Sequence, residues 1–136
     1  MSFDLLSFGR CSMDLYSKQI GSKFSDIDSF SAYIGGSPTN ISVCSQRLGL
    51  KTALLSAVGD DLTGKFIMDK LIKENVNTSN VFILPNTKTN LVLCGIIPPD
   101  QFPLVFYREK APENKITVAL IEKIHLDVFK ALLMSG

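Results

Sequence analysis

Four polar side chains have the chemistry needed to hold a small polar substrate: Arg10, Asp14, Asn40 and Arg108. A carboxylate such as that of Asp14 accepts hydrogen bonds from two hydroxyl groups at once, and the amide of Asn40 both donates and accepts. Arginine presents a planar pair of donors that matches a carboxylate. These residue types favour a ligand that carries hydroxyl groups and a carboxylate, although each also has a structural explanation as a turn residue or an ion-pair partner.

Three of the candidates are placed by predicted strands. The apolar residues 3–8 indicate a first buried strand, which Arg10 and Asp14 follow. In an open α/β sheet, ligands bind beside the carboxyl ends of the strands, so both side chains are expected at such a place. Arg108 ends a later strand, and strand alternation predicts that Phe106 shares its face and can pack on a substrate.

The fourth candidate, Asn40, follows a tight turn at Gly35-Gly36. Glycine lets the backbone turn sharply and lets a ligand approach it closely. Pro38 suits the first helical position, so a helix is predicted from about residue 38 to 48. Its mostly apolar stripe has helical spacing and consists of Ile41, Cys44, Ser45 and Leu48.

The rest of the chain predicts an α/β fold. A strand at 52–58, a helix at about 62–74 and a strand at 81–84 complete a β-α-β-α-β series, which is typical of a parallel sheet. Short strands and turns are expected over 15–34, and two strands over 90–97 and 103–107 form a hairpin-like pair. Further predictions are a polar loop over 110–115, a helix over about 118–130, broken near His125, and a strand from 131 to 135.

The segment 59–65 has the spacing of a phosphate-binding P-loop, GxxxxGK, between a strand and a helix. Phe66 cannot supply the hydroxyl group that holds Mg²⁺ in that motif. Asp60 and Asp61 would also bring negative charge to a cradle for phosphate. Helix capping by these aspartates is the better interpretation.

The region from the double glycine to the second helix resembles the ribokinase-like (PfkB) carbohydrate kinases. The residues that carry the resemblance are Gly35, Gly36, Pro38, Asn40, Ser42, Gly49 and Gly59. The segments 9–16 and 98–108 are most similar to the 5-dehydro-2-deoxygluconokinase branch of the family, which acts in inositol catabolism.

The resemblance implies a fold and a site. It implies the N-terminal portion of a three-layer α/β/α domain, truncated here, with residues 1–136 in one domain and a small β-sheet lid at about 15–34 and 89–108. It also implies ATP-dependent phosphorylation of a sugar or sugar acid. The substrate-binding residues would be Asp14, Gly35, Gly36, Asn40, Arg108, Arg10 and Phe106, and a homodimer through the lid is expected.

The resemblance also implies ATP and Mg²⁺ as cofactors of the complete kinase, at sites outside this chain. The family's catalytic aspartate lies in a Gly-Ala-Gly-Asp motif, which these 136 residues do not contain. We therefore expect the sugar-binding half of a kinase, inactive alone. The alternative is a binding module for a sugar acid or partner chain without catalysis. A dinucleotide-binding fragment is disfavoured because GxGxxG does not follow the first strand.

Composition excludes several other classes. A net charge of +1 does not indicate nucleic acid or an anionic membrane as a partner. The three cysteines are far apart and His125 is the only histidine, so zinc sites, disulfide frameworks and Cys-His catalysis are not expected. With no signal-peptide pattern at the N-terminus, a reducing cytoplasm is the expected location.

Overall fold

The computed structural model describes residues 2–135, which form two four-stranded sheets and two long helices. The strands are β1 (Phe3–Gly9), β2 (Ser12–Ser17), β3 (Phe30–Gly35), β4 (Thr52–Gly59), β5 (Val81–Leu84), β6 (Leu91–Cys94), β7 (Leu104–Tyr107) and β8 (Phe129–Ser135). The helices are α1 (Ser37–Arg47), α2 (Leu62–Lys73) and the short α3 (Val118–Ile121).

The larger sheet, called here the main sheet, is parallel and has the strand order β5-β4-β1-β8. All eight residues of β4 are buried, as expected for an inner strand of a parallel sheet that is covered on both faces. The predicted α/β class with a parallel sheet is therefore confirmed.

The core divides between the two faces of the main sheet. On one face, Leu54 and Val58 pack with Ile67 and Leu71 of α2 and with Val43 of α1. The opposite face has a smaller cluster, whose buried members are Leu6, Ala53 and Leu55. This division follows from strand alternation, because successive side chains of β4 point to opposite faces.

The smaller sheet, called here the small sheet, has the order β3-β2-β6-β7. β2 pairs antiparallel with β3 and parallel with β6, and β6 pairs antiparallel with β7. The predicted hairpin-like pair thus corresponds to β6 and β7, and the mixed region after β1 supplies the other two strands.

The predicted helix over 118–130 is wrong as a long helix, although the expected break near His125 is present. The structure has a helical turn at Val118–Ile121 and a 3-10 turn at Leu126–Val128, which His125 precedes, and the chain is extended from Phe129, where β8 begins. Thr117 provides no side-chain cap for the short helix. Pairing with β1 places Phe129 opposite Phe3, and their rings stack at a centroid distance of 5.4 Å. Strand pairing therefore overrides the local helical pattern.

One smaller detail also differs from the sequence predictions. The polar loop expected over 110–115 contains a 3-10 turn at Pro112–Lys115. No helix within residues 2–135 has the length and apolar character needed to cross a membrane.

Candidate functional site

A small cavity lies between the small sheet and the carboxyl end of β1. Its volume is about 180 Å³, which is room for about six water molecules at ~30 Å³ each. It is lined by Arg10, Ser12, Asp14, Tyr16, Gly36, Val92, Cys94, Leu104 and Phe106. Four of the predicted site residues, Arg10, Asp14, Gly36 and Phe106, thus share one cavity.

Strand register explains why the small sheet lines this cavity with one face. Asp14 of β2 lies opposite Tyr33 of β3 and Val92 of β6, and Val92 lies opposite Phe106 of β7. Residues directly opposite each other in a sheet point to the same face. A second row two residues along contains Tyr16, Ser31, Cys94 and Leu104. From these rows, Tyr16, Val92, Cys94 and Leu104 line the small cavity, whereas Ser31 and Tyr33 line a neighbouring groove. Sequence reasoning missed these lining residues, although Tyr16 and Leu104 lie two residues from Asp14 and Phe106, which was a usable signal.

The carboxylate of Asp14 is held in place from two sides. The hydroxyl of Ser12, a buried residue, donates a hydrogen bond to Oδ1 of Asp14 at 2.7 Å. On the other side lies Gly35, where a Cβ atom would overlap the carboxylate. A larger residue at position 35 would therefore displace the Asp14 carboxylate from this position. One hydroxyl bond leaves most of the carboxylate's lone-pair sites available to a ligand.

Gly36 fixes the start of α1 against the end of β1. Its φ of +98° lies in the region that favours glycine, and a Cβ there would overlap the backbone carbonyl of Arg10. The same carbonyl accepts a hydrogen bond from the Thr39 hydroxyl at 3.3 Å. The double glycine thus brings the helix start, the Arg10 backbone and the Asp14 carboxylate together.

Asn40 lies in a second, more open groove of about 700 Å³ that also contains Asp14. Its side chain is exposed, while its backbone N–H donates to the Gly36 carbonyl at 2.9 Å. Tyr16 and Tyr33 line the same groove and meet edge to face at 5.7 Å between ring centroids. Asp14 and Tyr16 line both the small cavity and this groove, and Asp14 is the charged residue of the two.

The two arginines lie in different environments. Arg10 lines the small cavity, and its Nε is buried without a hydrogen-bond partner in the described part of the chain. Arg108 follows the last residue of β7 and instead lines a groove with Lys88 and Lys110. Because β7 ends at Tyr107, the predicted strand alternation does not place Arg108 on the same face as Phe106. Arg108 is not part of the wall of the Asp14 cavity.

Arg108 belongs to a polar network that sequence reasoning did not identify. Its Nη2 donates to Oε1 of Glu113 at 3.0 Å, and the side chain of Glu113 is only 9% exposed. The other oxygen of Glu113 accepts from Nδ2 of Asn90 at 2.8 Å, and the same amide group donates to the Cys11 carbonyl at 3.1 Å. This network ties the end of β7 to the segment after β1. Asn90 is far from both Glu113 and Cys11 in sequence, so no local pattern indicates these contacts.

The turn at 59–65 does not fit the phosphates of a nucleotide. The Asp61 side chain caps α2 by accepting a hydrogen bond from the Gly64 N–H at 2.7 Å, which confirms the predicted capping role. A carboxylate therefore takes the N–H group that a phosphate would need. Asp60 is exposed and is not the cap. Within residues 2–135, no group of three His, Cys, Asp or Glu side chains fits a metal ion.

Comparison with known proteins adds evidence independent of this geometry. The family model described as "pfkB family carbohydrate kinase" matches residues 2–135. A protein named 5-dehydro-2-deoxygluconokinase from Shouchella clausii is 33% identical over 135 residues, covering 98% of this chain and 41% of that protein.

Solved structures of similar proteins share the fold. The crystal structure of a PfkB protein from Polaromonas sp. JS666 superposes with a TM-score of 0.88 at 24% identity, covering 96% of this chain and 44% of that one. An uncharacterized sugar kinase from Pyrococcus horikoshii, in complex with ATP, gives a TM-score of 0.78 at 27% identity, covering 91% and 39%. The chain thus spans less than half the length of each of these relatives.

Proposed function

The chain belongs to the pfkB family of carbohydrate kinases, and from that premise we propose that it provides the site that binds the sugar to be phosphorylated. The substrate would be a sugar or sugar acid such as 5-dehydro-2-deoxy-D-gluconate, the compound that the name of the Shouchella clausii relative implies. This would place the protein in inositol catabolism, in the cytoplasm.

One observation carries the proposal. The carboxylate of Asp14 lies where the small cavity meets the groove that contains Asn40, and it is held by Ser12 and Gly35. A site built to bond hydroxyl groups rejects analogues that lack them, because its own polar groups would then be left unpaired. Asp14 would accept hydrogen bonds from substrate hydroxyl groups, and Asn40 would bond a substrate oxygen.

Other residues complete the proposed site. The turn at Gly35 and Gly36 would be the hinge between the small sheet and the main sheet, with the small sheet acting as a lid. Phe106 is 51% exposed as a residue and lines the small cavity, where its ring would pack on the carbon chain of the sugar. Arg10 and Arg108 are the candidate partners for the carboxylate of a sugar acid.

Phosphoryl transfer needs more than an oriented acceptor. A base must take the hydroxyl proton, and positive or N–H-lined groups with Mg²⁺ must hold the γ-phosphate. ATP supplies the phosphoryl group in this proposal, but neither the 59–65 turn nor any acidic cluster in the described residues fits it or its metal ion. We therefore assign only acceptor binding to the residues of this chain.

The second candidate function is a binding module that holds a sugar acid or a partner chain without catalysis. The same cavity favours it, since Asp14 and Phe106 need no nucleotide to bind a polyol. An assay of ATP consumption in the presence of 5-dehydro-2-deoxy-D-gluconate separates the two. Turnover by the 136-residue chain would favour the enzyme, whereas saturable binding without turnover would favour the binding module.

Titration calorimetry with 5-dehydro-2-deoxy-D-gluconate tests the proposed site itself. We expect saturable binding at one site per chain and at least tenfold weaker binding by Asp14→Asn. Asp100→Asn, which changes an exposed loop acid outside the cavity, is the matched control. Lack of binding by the unmodified chain would contradict the proposal.

A homodimer through the small sheet is also proposed. β7 is an edge strand of that sheet, and each of its four residues is exposed. An edge strand presents unpaired backbone N–H and C=O groups that favour pairing with another chain. Light scattering over a range of concentrations would detect the dimer, and mass that stays at one chain throughout would contradict it.

A further inference from the structure

We infer that Arg10, and not Arg108, is the residue that distinguishes acidic sugars from neutral ones. The inference rests on the proposed function, since it assumes that the cavity around Asp14 binds a sugar. From the sequence, Arg108 is the first candidate for a carboxylate partner and Arg10 the second. Their surroundings differ in location, in charge and in hydrogen bonding.

Location is the first difference. Arg10 lines the same 180 Å³ cavity as Asp14, Gly36 and Phe106, whereas Arg108 lines a separate groove. The Arg10 backbone is also fixed, because its carbonyl packs against Gly36 and accepts a hydrogen bond from Thr39. The Arg10 side chain therefore starts from a defined point at the edge of the cavity. A carboxylate bound there would lie on the same ligand whose hydroxyl groups face Asp14.

Charge is the second difference. Arg108 is paired with the nearly buried carboxylate of Glu113 at 3.0 Å, so the pair has no net charge to offer a ligand. The ion pairs of residues 2–135 include none to Arg10. Asp14 is the one acid on the cavity wall, and it accepts its hydrogen bond from Ser12. Arg10 thus keeps a positive charge that a ligand carboxylate can neutralise.

Hydrogen bonding is the third difference. The Nε of Arg10 is buried and has no partner among the described residues. A buried donor without an acceptor is unfavourable, and a ligand that supplies the acceptor removes that cost. A carboxylate can accept from Nε and a terminal nitrogen together in the two-donor arrangement typical of arginine. Arg108 also has a buried Nε without a partner, but its terminal nitrogen is already bonded to Glu113.

Arg108 then has a different role, which is to hold the small sheet in position. Through Glu113 and Asn90 it connects the end of β7 with the Cys11 carbonyl. Cys11 directly follows Arg10 in the chain, so this network holds the segment from which Arg10 projects. Arg108 is a positioning residue in this scheme, and its loss would affect acidic and neutral ligands alike.

Two probes test the inference. D-Gluconate and D-glucitol are similar polyols, but D-gluconate has a carboxylate where D-glucitol has a CH₂OH group. We expect the unmodified chain to bind D-gluconate at least tenfold more tightly. In Arg10→Gln, D-gluconate binding should weaken about 10- to 100-fold, which corresponds to the loss of one charged hydrogen-bonded contact. D-Glucitol binding should change less than about threefold, because D-glucitol has no carboxylate to lose that contact. Unchanged D-glucitol binding also shows that this variant is folded.

Arg108→Gln is the matched control and should keep the preference for D-gluconate, whatever it does to overall affinity. Arg10→Lys, which keeps the charge but not the fork, should recover part of the preference. Loss of the preference in Arg108→Gln, or its persistence in Arg10→Gln, would overturn the inference and leave the proposed function intact. If the unmodified chain binds neither polyol, the proposed function fails and the inference fails with it.

Discussion

Asp61 holds Thr89 through two hydrogen bonds, one from the Thr89 backbone N–H to Oδ2 at 2.9 Å and one from the Thr89 hydroxyl to Oδ1 at 2.7 Å. The hydroxyl oxygen in turn accepts from the Gly59 N–H at 2.9 Å. Asn90 and β6 follow Thr89 directly. The cap of α2 therefore also anchors the segment that enters the small sheet, so one acid connects the main sheet to the proposed lid.

This relationship predicts that Asp61→Ala destabilises the fold. The substitution removes the helix cap and leaves the N–H groups of Gly64 and Thr89 without their acceptor, which is expected to cost about 1–3 kcal/mol in the free energy of unfolding. Urea unfolding followed by circular dichroism measures this change. Asp60→Ala is the control, because Asp60 is exposed and should alter stability by less than about 0.5 kcal/mol. Equal effects of the two substitutions would contradict the assigned role.

The same acid predicts a pH dependence. Burial raises the pKa of Asp61, but the hydrogen bonds from Thr89 and Gly64 outweigh it, so the net pKa lies below its ordinary value of 3.8. A depressed pKa in the folded state gives stability that is present above the unfolded value and is lost as the pH falls through the folded value. The destabilisation caused by Asp61→Ala should therefore shrink as the pH is lowered below about 4. If the unfolding free energies of the unmodified chain and of Asp61→Ala differ by the same amount down to pH 2, this predicted pH dependence is contradicted.

The third prediction concerns Gly35. Alanine at this position would place a Cβ on the carboxylate of Asp14 and push that side chain out of the cavity. We expect Gly35→Ala to weaken polyol binding at least tenfold in titration calorimetry. Gly21→Ala is the control: Gly21 has a positive φ of 84° but open space around it, so it should reduce stability by about 1 kcal/mol without affecting binding.

Sequence reasoning located the parts of the fold that depend on local patterns. The helix after the double glycine, the buried β4 and the Asp61 cap follow from spacing and residue type, and all three are present in the structure. The Asp14–Gly35 contact could not be predicted in the same way, because it depends on the pairing of β2 with β3. Likewise, the bond between Arg108 and Glu113 depends on the position of the 3-10 turn at Pro112–Lys115, which packs against β4.

The three cysteines give a fourth prediction, which tests the fold. Burial raises the pKa of the Cys11 thiol to about 12 and also raises that of Cys94, whereas Cys44 is exposed. Because the thiolate is the reactive form, a disulfide reagent at pH 8 should modify one thiol per native chain quickly and the other two only on unfolding. Mass spectrometry of the modified peptides should identify Cys44 as the fast site. Rapid modification of Cys11 would contradict the buried packing at the end of β1.

The last prediction separates the contact made by Asp14 from the support given by Ser12. Ser12→Ala removes the 2.7 Å hydrogen bond that orients the Asp14 carboxylate but leaves its charge, so polyol binding should weaken about 3- to 10-fold, the equivalent of one hydrogen bond. Asp14→Asn removes a double acceptor and should weaken binding more. If Ser12 acts only through Asp14, the double variant should bind no more weakly than Asp14→Asn alone. Calorimetry on the four proteins gives the coupling free energy. Additive losses would instead mean that Ser12, which also lines the cavity, contacts the ligand itself.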